Sequence, residues 1–190
     1  HKVRLKRLFD LTIVVLSAPL WIPVIALVGL YVRLRAGRPV LYRQERVGRD
    51  GVVFRCVKFR TMIPDAEADG HARLAAPDDD RVVPALAWMR SMRADELPQL
   101  WNVLLGDMSL VGPRPERPEL VAEIVQRVPG YIRRNELPPG LTGLAQVEGR
   151  YGTDAEYKLG YDLQYLVNWS VVLDAQILVR TIWVVLSRRV

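Results

Sequence analysis

The sequence of 190 residues holds a single cysteine, Cys56, and only two histidines, His1 and His71. One cysteine excludes an internal disulfide. Its place in an apolar strand-like segment reads as a buried structural thiol rather than a nucleophile. Two histidines are too few for a histidine-based zinc site. Internal repeats and a clear linker are also lacking, so one domain over residues 1–190 is expected. Negative charge is in deficit: net charge is +6 and the pI is about 9.8. That balance suits nucleic acid, an anionic membrane or a polyphosphate substrate, without choosing among them. No nucleic-acid-binding motif is present, and such a domain leaves a long apolar segment unexplained, so no nucleic-acid partner is expected. Half the residues are hydrophobic and a quarter charged, which fits neither a disordered chain nor a multi-span membrane protein.

What is present begins with Leu11–Val32, which carries no charged residue and is long enough to span a bilayer. No small-residue cleavage site follows it, so it does not read as a cleaved signal. Pro19 and Pro23 lie in its middle, where each removes a backbone donor and bends a helix; Ser17 is placed to bond a freed backbone group. Lys2, Arg4, Lys6 and Arg7 precede the segment, and Arg33, Arg35 and Arg38 follow it. Positive charge on both flanks asks for both ends on the cytoplasmic side. A bent, re-entrant helical hairpin over about residues 8–34, broken at Ser17 and Pro19, meets both conditions. A straight span and a buried core helix are the alternatives.

Further on, 39–46 and 52–60 read as strands around the turn Gly48-Arg49-Asp50-Gly51, and 64–80 as a polar loop. Helices are expected over 81–93, 97–105, 118–128 and 154–167. A stiff loop, Pro138–Gly143, precedes a short strand over 144–147. The apolar 169–190, with Trp169 and Trp183 and charged Asp174 and Arg180, reads either as an interface-lying helix or as a cover for the core. The chain starts at His1 rather than Met, as a piece trimmed from a longer chain would.

The chemistry centres on residues 95–115. Asp95 and Glu96 open an apolar run, and Gly112-Pro113-Arg114-Pro115 closes it. From spacing alone the acids serve equally as helix caps. Read functionally, helix-terminus donors lower the pKa of Asp95 and keep it ionised. An ionised carboxylate is a competent nucleophile toward phosphorus, and the adjacent Glu96, with Asp95 beside it, offers Mg²⁺ hard oxygen ligands.

These segments, in this order, resemble the bacterial sugar transferases, the monotopic phosphoglycosyl transferases. The likeness runs through Lys6–Asp10, Gln44–Gly48, Lys58–Met62, Asp95–Gln99, Trp101-Asn102, Gly106–Pro115, Pro139–Gly143, Ala145–Val147, Gly149-Arg150, Lys158-Leu159, Tyr161-Asp162 and Asn168-Trp169. Arg90 also matches, whereas Val83, Leu86, Ala87 and Ala94 depart from the usual pattern and bear on helix packing or sugar choice.

The resemblance implies a mixed α/β, mainly helical fold with a re-entrant membrane hairpin, a small β-hairpin and amphipathic interfacial helices. It implies transfer of a sugar 1-phosphate from a UDP-sugar to polyprenyl (undecaprenyl) phosphate at the cytoplasmic face of the bacterial inner membrane. UMP is released, and exopolysaccharide, capsule, O-antigen or glycoconjugate assembly begins. Asp95 becomes the covalent nucleophile of a ping-pong reaction, Glu96 the Mg²⁺ ligand, and Asp162 an acid in or near the active site. Pro113, Arg114 and Pro115 become the uridine-end loop, and Arg150 a phosphate ligand. Each keeps a plainer alternative: a rigid turn, a surface ion pair, a solvated helix face. Lys58 and Arg60 either balance substrate charge or alternate along an exposed strand; the Gly140–Gly143 loop could offer backbone donors to an anion. A non-enzymatic basic membrane-binding module is the competing function. The lipid bilayer is an expected partner, and self-association is open.

Overall fold

The computed structural model describes residues 2–64, 66, 79–149 and 154–187. It is mainly helical, with two small two-stranded sheets. The apolar N-terminal segment forms two helices, α1 (Lys2–Leu16) and α2 (Ala18–Ala36), parted at Ser17 with Pro19 in the first turn of α2. The physical cause is the proline pattern, and side chains at the break add donors to the carbonyls of the last turn of α1. Ser17 Oγ donates to the Ile13 carbonyl at 2.6 Å, and the Trp21 indole donates to the Val14 carbonyl at 2.9 Å. Helix α2 is long and apolar enough to cross a membrane. Leu20, Ile22, Leu27, Leu30 and Leu34 stand exposed on it, and Val32 is buried. This exposure points to membrane association.

Strands β1 (Leu41–Val47) and β2 (Val53–Phe59) pair antiparallel in the register Leu41↔Phe59 to Val47↔Val53. Their turn places Asp50 at φ 54° and Gly51 at φ 80°, conformations that favour Asp and Gly. The helix expected over 81–93 is shorter. It comprises a 3₁₀ turn, Pro84–Leu86, and α3 (Ala87–Ser91). After α3 comes another 3₁₀ turn, Ala94–Glu96, and then α4 (Gln99–Leu105). The carboxylate pair therefore precedes the α-helix by a turn.

Asn102 of α4 is buried and ties that helix to the edge of β2. Its Oδ1 accepts from Val57 N at 3.0 Å, and its Nδ2 donates to the Arg55 carbonyl at 2.8 Å and to Asp107 Oδ2 at 3.1 Å. Helix α4 ends at Gly106, φ 99°. Arg7 of α1 donates there to the carbonyls of Val103 and Leu104, a cation where the helix dipole is negative. Cys56 lies in the core that β2, α4 and α1 share, and burial pushes its thiol up.

The next element is β3 (Ser109–Val111), followed by α5 (Pro118–Arg127). Here the structure corrects two expectations. The supposed stiff loop contains β4 (Gly140–Thr142), paired parallel to β3, and the supposed strand over 144–147 is helix α6 (Leu144–Glu148). Glycines allow the pairing. A Cβ on Gly140 would lie 2.0 Å from Gly112 N, and one on Gly112 would lie 2.3 Å from the Pro138 carbonyl oxygen. Gly140→Ala is therefore expected to destabilise by about 1–3 kcal/mol through overpacking, read as a lower midpoint in thermal unfolding in detergent. An unchanged midpoint would show that the backbones can separate without cost. Gly140 N donates to the Pro113 carbonyl at 2.9 Å, so this donor is already committed and is not free for an anion.

Helices α7 (Ala155–Asn168) and α8 (Val171–Leu186) finish the described chain. Asp154 and Ser170 cap them, accepting from Ala155 N and Leu173 N. Helix α8 covers the core with one face and leaves the other exposed. Asp174 and Ile177 are buried against the core, while Val172, Val179, Ile182, Trp183 and Leu186 are exposed.

A buried polar knot joins the ends of the fold. Lys6 Nζ lies 2.7 Å from Asp174 Oδ2, which also accepts from the Trp169 indole at 3.2 Å. Tyr165 donates to Asp174 Oδ1 at 2.6 Å and lies 3.1 Å from the Val111 carbonyl. Asp10 Oδ1 accepts from Leu110 N at 3.2 Å. Lys6 and Arg7 are thus bound inside the protein, which weakens the charge-flank argument on the N-terminal side.

Candidate active site

Asp95 and Glu96 are 8 % and 6 % exposed. The tight turn that carries them follows Arg93, which sits in the left-handed region at φ 53°. This conformation is uncommon for a residue other than glycine and turns the chain sharply into the pair. Neither acid caps a helix: the residue before α4 is Pro98, with no side-chain cap.

Three cations surround Glu96. Arg114 Nη2 is 2.6 Å from Oε1 and its Nη1 3.4 Å from Oε2; Lys58 Nζ is 3.3 Å from Oε1; Arg93 Nη1 is 3.6 Å from Oε2. Burial alone would raise the Glu96 carboxyl, but Arg114, then Lys58 and Arg93, hold it well below the usual carboxylate range. Glu96 in turn raises the Arg114 guanidinium.

Asp95 differs, and the expectation of a lowered pKa is corrected. Burial first, then the charge of Glu96, pushes its carboxyl up against the opposing pull of Lys58, Arg90 and Arg114. Its Oδ1 is buried and has no hydrogen-bond partner. The donors expected of a helix terminus are not aimed at it, because the α-helix starts only at Gln99. Two adjacent carboxylates thus have opposite environments. One is saturated with cations, and the other holds an oxygen in reserve inside a positive shell.

The structure brings Asp95, Glu96, Lys58 and Arg114 together, on a turn, a β-strand and a loop. Pro113 and Pro115 flank Arg114, and the loop is pinned on both sides. Gly112 N donates to the Thr142 carbonyl at 2.8 Å, and Arg46 Nη1 donates to the Pro115 carbonyl at 3.0 Å. A narrow pocket beside the cluster is lined by Arg46, Cys56, Lys58, Gln99, Arg114 and Pro115.

Other expected site residues lie elsewhere. Asp162 is not in contact with the pair; its Oδ2 accepts from Arg134 Nε at 2.8 Å. Arg60 is buried and donates to the carbonyls of Pro39 and Ala36, so it closes the end of α2 rather than facing a substrate. Ser17 and Pro19 mark the helix break. Arg150 lies outside the described residues, as does most of the expected loop over 64–80. The residues missed in the sequence are Arg93 and Arg134. Spacing gave a signal only for Arg93, three positions before Glu96.

The match to the bacterial sugar transferase family runs over residues 1–188. A UDP-N-acetylgalactosamine-undecaprenyl-phosphate N-acetylgalactosaminephosphotransferase of Aeromonas hydrophila is 38% identical over 96% of this chain and 44% of its own length. A UDP-glucose:undecaprenyl-phosphate glucose-1-phosphate transferase of Caulobacter vibrioides is 39% identical over 93% of this chain and 68% of its own. An uncharacterized sugar transferase of Bacillus subtilis, EpsL, is 40% identical over 94% of this chain and 85% of its own. The chain thus spans less than half of some relatives and most of others. With every described residue inside the match, the chain belongs to the bacterial sugar transferase family.

Proposed function

We propose that this chain transfers a sugar 1-phosphate from a UDP-sugar to undecaprenyl phosphate at the cytoplasmic face of the bacterial inner membrane, the first step in building a polysaccharide or glycoconjugate. The relatives' names support the reaction class. The observation that carries the reading is the buried, unpartnered Asp95 Oδ1 beside Glu96 and its three cations.

In this reading Asp95 attacks the sugar-side phosphorus of the donor. An Asp95 O–P bond forms, the P–O bond to the nucleotide breaks, and UMP leaves with the electron pair. A phosphate oxygen of the polyprenyl phosphate then attacks the same phosphorus, and Asp95 departs as carboxylate. Burial and the charge of Glu96 favour the neutral acid, and Lys58, Arg90 and Arg114 supply the opposing pull that favours the attacking carboxylate. Arg114 and Lys58 supply positive charge where the diphosphate would lie, and a planar guanidinium suits paired phosphate oxygens.

Mg²⁺ is commonly held by one or two carboxylates plus substrate phosphates and water. Asp95 Oδ1 fits as an open hard oxygen donor, whereas both Glu96 oxygens are held by Arg114, Lys58 and Arg93 and would join the cation only as those side chains turn to the diphosphate. No group of three or more metal-ligating side chains occurs among the described residues, so the rest of the shell falls to substrate and solvent. When bound, the cation neutralises the diphosphate and the leaving nucleotide. The apolar faces of α2 and α8 and the break at Ser17 and Pro19 support a hairpin that dips into one leaflet and returns. Such placement brings a lipid phosphate and a soluble donor to one height.

The test is UMP release from a panel of UDP-sugars that includes the glucose and N-acetylgalactosamine donors. It uses detergent-solubilised protein with Mg²⁺ and undecaprenyl phosphate. We expect release with at least one donor, dependent on the lipid, and its fall to background in EDTA. Folded protein that releases UMP from none of the donors would sink the proposal.

A further inference from the structure

Arg134 takes no part in the chemistry above, yet it is one of the most committed side chains in the molecule. It lies in the 3₁₀ segment Tyr131–Glu136 and is 3 % exposed. Its Nε and Nη2 meet Asp162 Oδ2 at 2.8 and 2.7 Å. Its Nη1 donates to the Tyr131 hydroxyl at 3.0 Å. What remains of Nη2 is spent on a single backbone atom: it donates to the carbonyl of Arg114 at 3.0 Å.

That carbonyl belongs to the residue whose side chain holds Glu96. The neighbouring carbonyls have their own restraints, Pro113 from Gly140 N and Pro115 from Arg46. Prolines on both sides of Arg114 limit the local φ angles and remove two backbone donors, so the peptide carrying Arg114 is oriented mainly through its acceptors. Of these three consecutive carbonyls, Arg114's is held by a charged group anchored on a different helix, α7. Asp162 and Tyr165 lie three residues apart on that helix and so share a face. Through Arg134 and directly, they reach the Arg114 and Val111 carbonyls at the two ends of the loop.

We propose that Arg134 is a positioning residue: oriented by Asp162 and Tyr131, it fixes the Arg114 peptide and so aims the Arg114 guanidinium at Glu96 and at the donor diphosphate. Asp162 then acts on the reaction through two intermediaries, not by touching substrate. This inference rests on the reaction proposed above. Misplacement of a positioned group by about 1 Å costs on the order of 10²-fold in rate, so the lever is large even without direct contact.

The test is a double-mutant cycle on UMP release, with Arg134→Lys and Arg114→Gln as single variants and as a pair. Arg134→Lys keeps the charge against Asp162 but loses the fork that reaches the carbonyl. We expect it to lower kcat/KM for the UDP-sugar by about 10-fold or more and to cost little further once Arg114 is Gln, because residues acting as a unit are non-additive. Equal losses in both backgrounds would overturn the proposal and leave Arg134 as a fold-stabilising residue. Tyr131→Phe provides a second route should Arg134→Lys not fold. It removes only the hydroxyl, and it must likewise lower kcat/KM with native Arg114 and lose that effect with Arg114→Gln. If wild-type protein releases no UMP, the reaction fails and not the positioning. In that case the Mg²⁺-free thermal midpoints of the same four proteins decide: additive shifts reject coupling between Arg134 and Arg114, and non-additive shifts support it.

Discussion

Asp95→Asn is expected to abolish sugar-phosphate transfer, lowering turnover by at least about 10³-fold, in line with the loss of a nucleophile in other covalent mechanisms. The substitution keeps size and shape and removes the nucleophilic charge. Because Asp95 Oδ1 has no hydrogen-bond partner and burial raises its pKa, the change removes an energetically unfavourable anion. The variant should therefore be at least as stable as the wild type while inactive, a combination that separates catalytic from structural loss. The measurement is UMP release beside thermal unfolding. A second readout is retention of radiolabel on the protein after incubation with a donor labelled in the sugar phosphate, without lipid acceptor. Wild type should retain label, and Asp95→Asn should not. Substantial turnover by the variant would move the nucleophile elsewhere.

Asp174→Ala should produce the largest loss of stability. The carboxylate is fully buried and serves Lys6, Tyr165 and Trp169 together. Removing it takes the direct ion-pair partner from the buried Lys6 ammonium and leaves it the Tyr165 and Trp169 rings and the charge of Asp10. Breaking one side of a buried ion pair costs about 3–5 kcal/mol, a large share of an ordinary domain's stability. Thermal or denaturant unfolding in detergent checks this. A companion variant, Lys6→Met with Asp174→Leu, removes both charges and should recover much of the loss. Failure of the pair to recover any of it would place the cost in the Tyr165 and Trp169 hydrogen bonds instead.

The β1–β2 hairpin was readable because alternation and a Gly-Arg-Asp-Gly turn are local signals. The break at Ser17 was readable because proline acts on its own turn. The site was partly legible for the same reason: Asp95 and Glu96 are adjacent, and Arg114 sits in a distinctive Pro-Arg-Pro frame. The β3–β4 pair was not legible. Its strands have three residues each, too few for periodicity, and the glycines that permit it look like loop residues until another backbone lies against them. The short apolar run 144–147 suits strand or helix equally, and tertiary packing decides. Asp162 read as a solvated helix face, and neither its pairing with Arg134 nor that of Lys6 with Asp174 was legible, because the partners are distant in sequence. Asp95's raised pKa was missed because it comes first from burial, which tertiary packing sets.

The Lys6–Asp174 contact joins the first helix to the last, and the chain is made from its N-terminus. Helices α1 and α2 leave the ribosome long before α8 exists. Until α8 is made Lys6 has no Asp174 to neutralise it, so the N-terminal segment must keep that ammonium in water or among lipid headgroups. Only when α8 arrives can the first turns of α1 become dry. Closure of the core thereby waits on the making of α8, and a ribosome that stalls before residue 174 leaves behind a segment that can meet the membrane but cannot seal its own base.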